Sequence, residues 1–66
     1  MELLQLRYFY ESAKGGSFSK VAKRYMVPLS SISASIKRLE SELGISLFDR
    51  KSNRIILNNK GKEFLH

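Results

Sequence analysis

The chain contains no cysteine, and its one histidine is the terminal His66. Disulfides and thiolate-rich metal sites are thereby excluded, and no imidazole sits where a base could serve catalysis. The acids are few, six against twelve Lys and Arg, and they lack partners suited to acid–base work. Glu40 and Glu42 are two apart, so on a helix they point in different directions; Glu40 is expected to pair with Arg38 or a neighbouring helix. Long apolar runs are absent as well. The longest uncharged stretch, Met26 to Ile36, is serine-rich and far short of the ~20 residues that cross a bilayer. No signal peptide is visible. The expectation is one small cytoplasmic domain, neither an enzyme nor a metalloprotein, with no cofactor of its own.

What the chain does have is positive charge, +6 in all, and the placement of that charge is informative. No acid occurs from Ser12 to Leu39, where Lys14, Lys20, Lys23, Arg24, Lys37 and Arg38 stand. None occurs from Arg50 to Lys62, where Arg50, Lys51, Arg54, Lys60 and Lys62 stand. Such blocks suit a polyanion-binding face. A merely solvated surface and an anionic membrane surface are the competing readings.

Helical spacing of Leu6, Phe9 and Ala13 predicts a first helix from about Leu3 to Lys14, stopped by Gly15 and Gly16. Tyr8, Phe9 and Tyr10 crowd its middle and read as core and rim. Ser17 or Ser19 caps a short second helix ending near Tyr25, with Val21, Ala22 and Tyr25 inward. Val27 and Pro28 interrupt it, the proline suiting a turn or the first position of the next helix. A third helix then runs to Gly44. A short helix, a turn and a long helix make a helix-turn-helix outline. Beyond Gly44, "SLF" and "RIIL" flank "DRKSN" and read as a hairpin with a basic tip, or else as a loop marked by Asn53. Asn58 or Asn59 caps a last short helix, in which Phe64 and Leu65 return to the core and Gly61 costs about 1 kcal/mol against alanine.

The third helix carries the functional signal. Ile36, Leu39 and Leu43 lie within about 40° of Ile32 on a helical wheel. Ser30, Ala34, Lys37 and Ser41 fall opposite, with Ser33 on one flank and Ser31 and Arg38 on the other. Serine is a middling helix former, so a serine-rich start needs a reason. Capping is one. Docking is another: a DNA major groove about 12 Å wide admits a helix whose outer face is small, polar and free of acids. Hydroxyls can meet base edges and phosphates there, with Lys37 and Arg38 one turn further on.

The motifs "LRYF", "GSFSKVAKRYMV", "SIKRLESELGISLFDR" and "LNNKG" run in order and without a gap along nearly the whole chain. Together they make the sequence resemble the N-terminal DNA-binding domain of LysR-type transcriptional regulators, which are winged helix-turn-helix proteins of bacteria. That resemblance implies a mainly α fold of three helices, a two-stranded wing and the start of a linker helix. It implies a DNA-binding domain over 1–58 and a linker helix opening at 59–66, with the family's C-terminal effector domain absent. It implies double-stranded DNA as partner, with the third helix in the major groove and the wing on the backbone or in the minor groove. By position, Leu29, Ser30, Ser33, Ala34 and Lys37 would read bases. Ser17, Ser31, Arg38 and Arg50 would hold phosphates, and Lys51, Asn53 and Arg54 would be wing contacts. The family often has glutamine where Leu29 stands and a cation where Ala34 stands. Both positions here offer only a thymine methyl contact, which shifts weight to Ser33, Lys37, the wing and DNA shape. A full-length protein would be a homodimer or tetramer sensing a small-molecule effector, and the 66-residue chain alone a monomer. The alternatives are a small basic protein-interaction module and a non-specific architectural DNA binder.

Overall fold

The computed structural model describes residues 2–51 and 54–65, and of Lys51 and Arg54 only the backbone. The elements run α1 (Leu3–Gly15), α2 (Phe18–Tyr25), α3 (Leu29–Leu43), β1 (Phe48–Lys51), β2 (Arg54–Leu57) and α4 (Asn59–Leu65). The expected mainly α architecture with a two-stranded wing is therefore the observed one.

Helix α1 ends where Gly16 takes a left-handed conformation, φ 66°, and its N–H returns to the Ser12 carbonyl at 2.8 Å. Gly15 itself is still helical. The buried stripe of α1 is rotated from the expected one. Gln5, Tyr8, Phe9 and Ser12 are buried, and Leu6 and Ala13 only flank them. Gln5 can be buried because its side-chain oxygen accepts the Glu2 backbone N–H at 3.2 Å, which closes the start of the helix.

Of the two candidate caps for α2, Ser17 is used: its hydroxyl accepts the Lys20 N–H at 3.3 Å. The helix ends at Tyr25, as expected, with Met26 as its cap ahead of Val27 and Pro28. Met26 is left-handed, φ 57°, although it is not glycine. Pro28 lies in the turn, immediately ahead of α3, and its carbonyl accepts the Ser31 N–H at 3.0 Å.

Ile32, Ile36 and Leu39 have no exposed surface, so the predicted stripe of α3 is the centre of the core. Tyr8 and Phe9 meet it from α1, Val21 and Ala22 from α2, and Leu47 and Phe48 from the approach to the wing. Phe64 of α4 closes the core edge-on against Phe9, with ring centroids 5.3 Å apart. Leu65, expected beside it, stays more than a third exposed, because adjacent helical residues point about 100° apart.

The wing starts later in the chain than "SLF" suggested. Asp49, Arg50 and Lys51, expected in the tip, belong to β1 and pair with Ile56, Ile55 and Arg54. Ser46 and Leu47 stay outside the ladder because their neighbourhood is held otherwise. The Glu40 carboxylate accepts the Leu47 N–H at 2.8 Å and the Phe48 N–H at 3.4 Å. The Leu47 carbonyl accepts the Asn58 N–H at 3.0 Å. Glu40 thus ties α3 to the wing and does not pair with Arg38. Asn58 is the cap of α4, its side-chain oxygen accepting the Gly61 N–H at 2.8 Å while its amide donates to the Ser46 carbonyl at 2.9 Å. Gly61 is not a cost to be borne for its own sake. A Cβ there would collide with the Leu47 carbonyl and the Leu57 side chain, so α4 can lie against the wing only at a glycine.

Candidate nucleic-acid interface

The three buried residues of α3 fix the opposite side outward. Leu29, Ser30, Ser31, Ala34, Lys37 and Arg38 are exposed, and Ser33 is half-buried on the flank. The first two and a half turns of this face carry no carboxylate and nothing larger than Leu29 ahead of Lys37. Small hydroxyls in the leading turns leave room for close approach to a groove floor, and the cations behind them favour an anionic surface.

Ser17 and Arg50 are distant in sequence, and Phe18 is the residue that links them. Phe18 follows the Ser17 cap directly, and the Arg50 guanidinium lies 5.8 Å from the centre of the Phe18 ring. Phe18 in turn packs edge-on against Phe48, with centroids 5.6 Å apart. Arg50 is therefore held beside the start of α2, where unpaired backbone N–H groups also favour an anion. The Ser17 hydroxyl accepts the capping bond and keeps its own proton free to donate. No sequence pattern connects residues 18 and 50, so the role of Phe18 in aiming Arg50 was not legible beforehand. Of the wing residues, Lys51 and Arg54 form the outermost described strand pair. Their side chains, and Asn53 altogether, lie outside the described residues.

A further contact holds α2 against α1. The Tyr25 hydroxyl donates to the Glu11 carboxylate, whose other oxygen pairs with the Arg24 guanidinium at 3.0 Å. The bond to Glu11 raises the phenol above its ordinary value, with smaller contributions from burial and the carboxylate charge. Tyr25 also packs edge-on against Tyr8, with centroids 5.0 Å apart. These aromatic and carboxylate contacts add to the buried packing of Tyr8 and Phe9 with Val21 and Ala22 between α1 and α2.

Three helices around one core, a two-stranded antiparallel wing and an exposed acid-free face on α3 define a winged helix-turn-helix DNA-binding domain. The sequence matches the family described as "Bacterial regulatory helix-turn-helix protein, lysR family" over residues 3–62. The chain belongs to that family. It is 48% identical over 65 residues to the transcriptional dual regulator GltC of Bacillus subtilis (strain 168), covering 98% of this chain and 22% of that protein. It is 43% identical over 65 residues to the uncharacterized HTH-type transcriptional regulator YybE of the same organism, with the same coverage of 98% and 22%. Among solved structures it is similar to the CbnR DNA-binding domain in complex with DNA, at TM-score 0.92 and 37% identity over 98% of this chain and 75% of that one. It is similar to the BenM DNA-binding domain on its benA site 1 DNA at TM-score 0.90 and 37% identity, covering 98% and 76%. The chain spans about a fifth of the length of the curated relatives it matches.

Proposed function

We propose that this domain recognises a specific duplex sequence by laying the leading turns of α3 in the major groove. Leu29, Ser30, Ser33, Ala34 and Lys37 face the base edges in this reading. Ser17, Ser31, Arg38 and Arg50 hold phosphates on either side, and Lys51, Asn53 and Arg54 follow the backbone or the minor groove from the wing. The observation that carries it is the outer face of α3, acid-free and small, rigidly aimed by Ile32, Ile36 and Leu39 at zero exposure. The contact of Arg50 with Phe18, the residue that follows the Ser17 cap, supports a phosphate clamp at the edge of that face. Residues 1–58 act as the DNA-binding unit and 59–66 open a linker helix.

The protein is assigned to the cytoplasm, where bacterial DNA lies. A full-length form would be a homodimer or tetramer on two-fold DNA and would respond to a small-molecule effector held outside this domain, whereas the 66-residue chain alone is a monomer. The relatives' much greater length supports these last assignments. No catalytic role and no cofactor are assigned to this domain; the named relatives are transcriptional regulators.

Selection of bound duplexes from a random pool tests the reading. It predicts one preferred half-site, contacted across about one groove width, and a salt-dependent affinity set by the phosphate contacts. Enrichment without sequence preference would make the domain an architectural binder. Binding to an acidic protein as tight as to duplex DNA would make it an interaction module.

A further inference from the structure

Between α1 and α2 lies an open groove of about 990 Å³. No residue of α3 or of the wing lines it. Its floor is apolar, with Leu6 of α1 and Val21 of α2. Tyr10 stands on one wall, half-exposed at 49%. The rim is basic. Arg7, Lys20 and Lys23 border the groove and have no ion-pair partner among the described residues. Lys14 lies 5.2 Å from the centre of the Tyr10 ring. The one acid in the lining, Glu11, is already engaged by Tyr25 and Arg24.

We propose that this groove is a docking site for an acidic segment of a partner protein, one apolar or aromatic side chain set between carboxylates. The apolar floor and Tyr10 suit the anchor, and the cationic rim suits the flanking carboxylates. Phosphate backbone would use the rim but leave the apolar floor and the tyrosine face without a function. A second copy of this chain is a poor occupant, since both copies carry +6. Because no residue of α3 or the wing lines the groove, the acidic segment and duplex DNA are expected to bind at once.

The test uses the 66-residue chain, a labelled acidic peptide with Phe and Leu anchors, and a control peptide of the same charge with the anchors replaced by Ser. Binding is read by fluorescence anisotropy and by amide shifts in nuclear magnetic resonance. Salt is held near 0.15 M, where screening limits charge effects to about 8 Å. The expected result is shifts at Leu6, Tyr10, Lys14, Val21 and Lys23, preserved when duplex DNA is saturating, and at least about tenfold weaker binding of the control peptide. The double variant Lys14→Gln and Lys23→Gln should lose about tenfold in peptide affinity and keep its duplex affinity within about threefold. Because Tyr10→Ala removes only a half-exposed ring, it gives a second, charge-independent loss. Displacement of the peptide by DNA, equal binding of the control peptide, shifts confined to α3 and the wing, or a matching loss of duplex affinity in the lysine variant would each overturn the proposal. The last result would assign the rim to phosphate.

Discussion

Glu40 gives the sharpest test of how the wing is held to the helices. Its carboxylate accepts the Leu47 N–H at 2.8 Å, the Phe48 N–H at 3.4 Å and the Ser46 hydroxyl at 3.5 Å. Only the first is short, so one strong charged bond dominates and the others add little. Leu47 is fully buried while the carboxylate covers it, and its N–H has no other partner among the described residues. Losing such a bond costs about 1.5–3 kcal/mol. An acid in the last turn of α3 opposes the helix dipole, so its removal returns about 0.3–1 kcal/mol. The net expected loss for Glu40→Ala is about 0.5–2.7 kcal/mol. A domain of this size has only about 3–10 kcal/mol of stability. Thermal unfolding followed by circular dichroism should therefore shift down by about 2–22 °C. Urea unfolding should show a lower midpoint with an unchanged slope. Glu40→Gln keeps one acceptor oxygen without the charge, and should lose about half as much. Arg38→Ala should leave stability within about 0.5 kcal/mol, since Arg38 is exposed and does not pair with Glu40. Equal losses for Glu40→Ala and Arg38→Ala would restore the ion-pair role. A loss below about 0.5 kcal/mol for Glu40→Ala would refute the bond's importance.

Gly61→Ala should destabilise by about 1–3 kcal/mol despite alanine's better helix propensity, because the added methyl meets the Leu47 carbonyl; a raised melting temperature would contradict that packing. Met26→Gly should stabilise by about 1 kcal/mol, since it relieves a left-handed residue whose side chain is 92% exposed, and denaturant unfolding would show it. Lys37→Ala should cost about 1–3 kcal/mol on the preferred duplex and relax one base position, whereas uniform weakening on all duplexes would move Lys37 to phosphate. Arg54→Ala should weaken all duplexes alike and flatten the salt slope by about one unit; an unchanged slope would take Arg54 off the DNA.

The strongly periodic parts of the chain were legible without coordinates. Ile32, Ile36 and Leu39 repeat at helical spacing, and burying that stripe obliges Ser30, Ala34 and Lys37 to face solvent. The acid-free blocks declare a preference for polyanions wherever the helices lie, because Coulomb attraction needs only clustering. Caps at Ser17 and Asn58 are local chemistry, and a local window contains them. Other features depend on residues far apart in the chain. The strand boundary at Phe48 is set by Glu40, which takes N–H groups that a ladder would otherwise use. Gln5 and Ser12 displace Leu6 and Ala13 from the buried stripe of α1 because the packing of α1 on α2 and α3 decides which side of it is covered. Gly61 reads as a weak helix residue until the Leu47 carbonyl is found against it. Arg50 acquires a direction only through Phe18. Sequence periodicity reports which face an element would bury. Only the tertiary structure decides what each face is buried against, since close contact between distant segments depends on their mutual geometry and leaves no periodic trace in either segment.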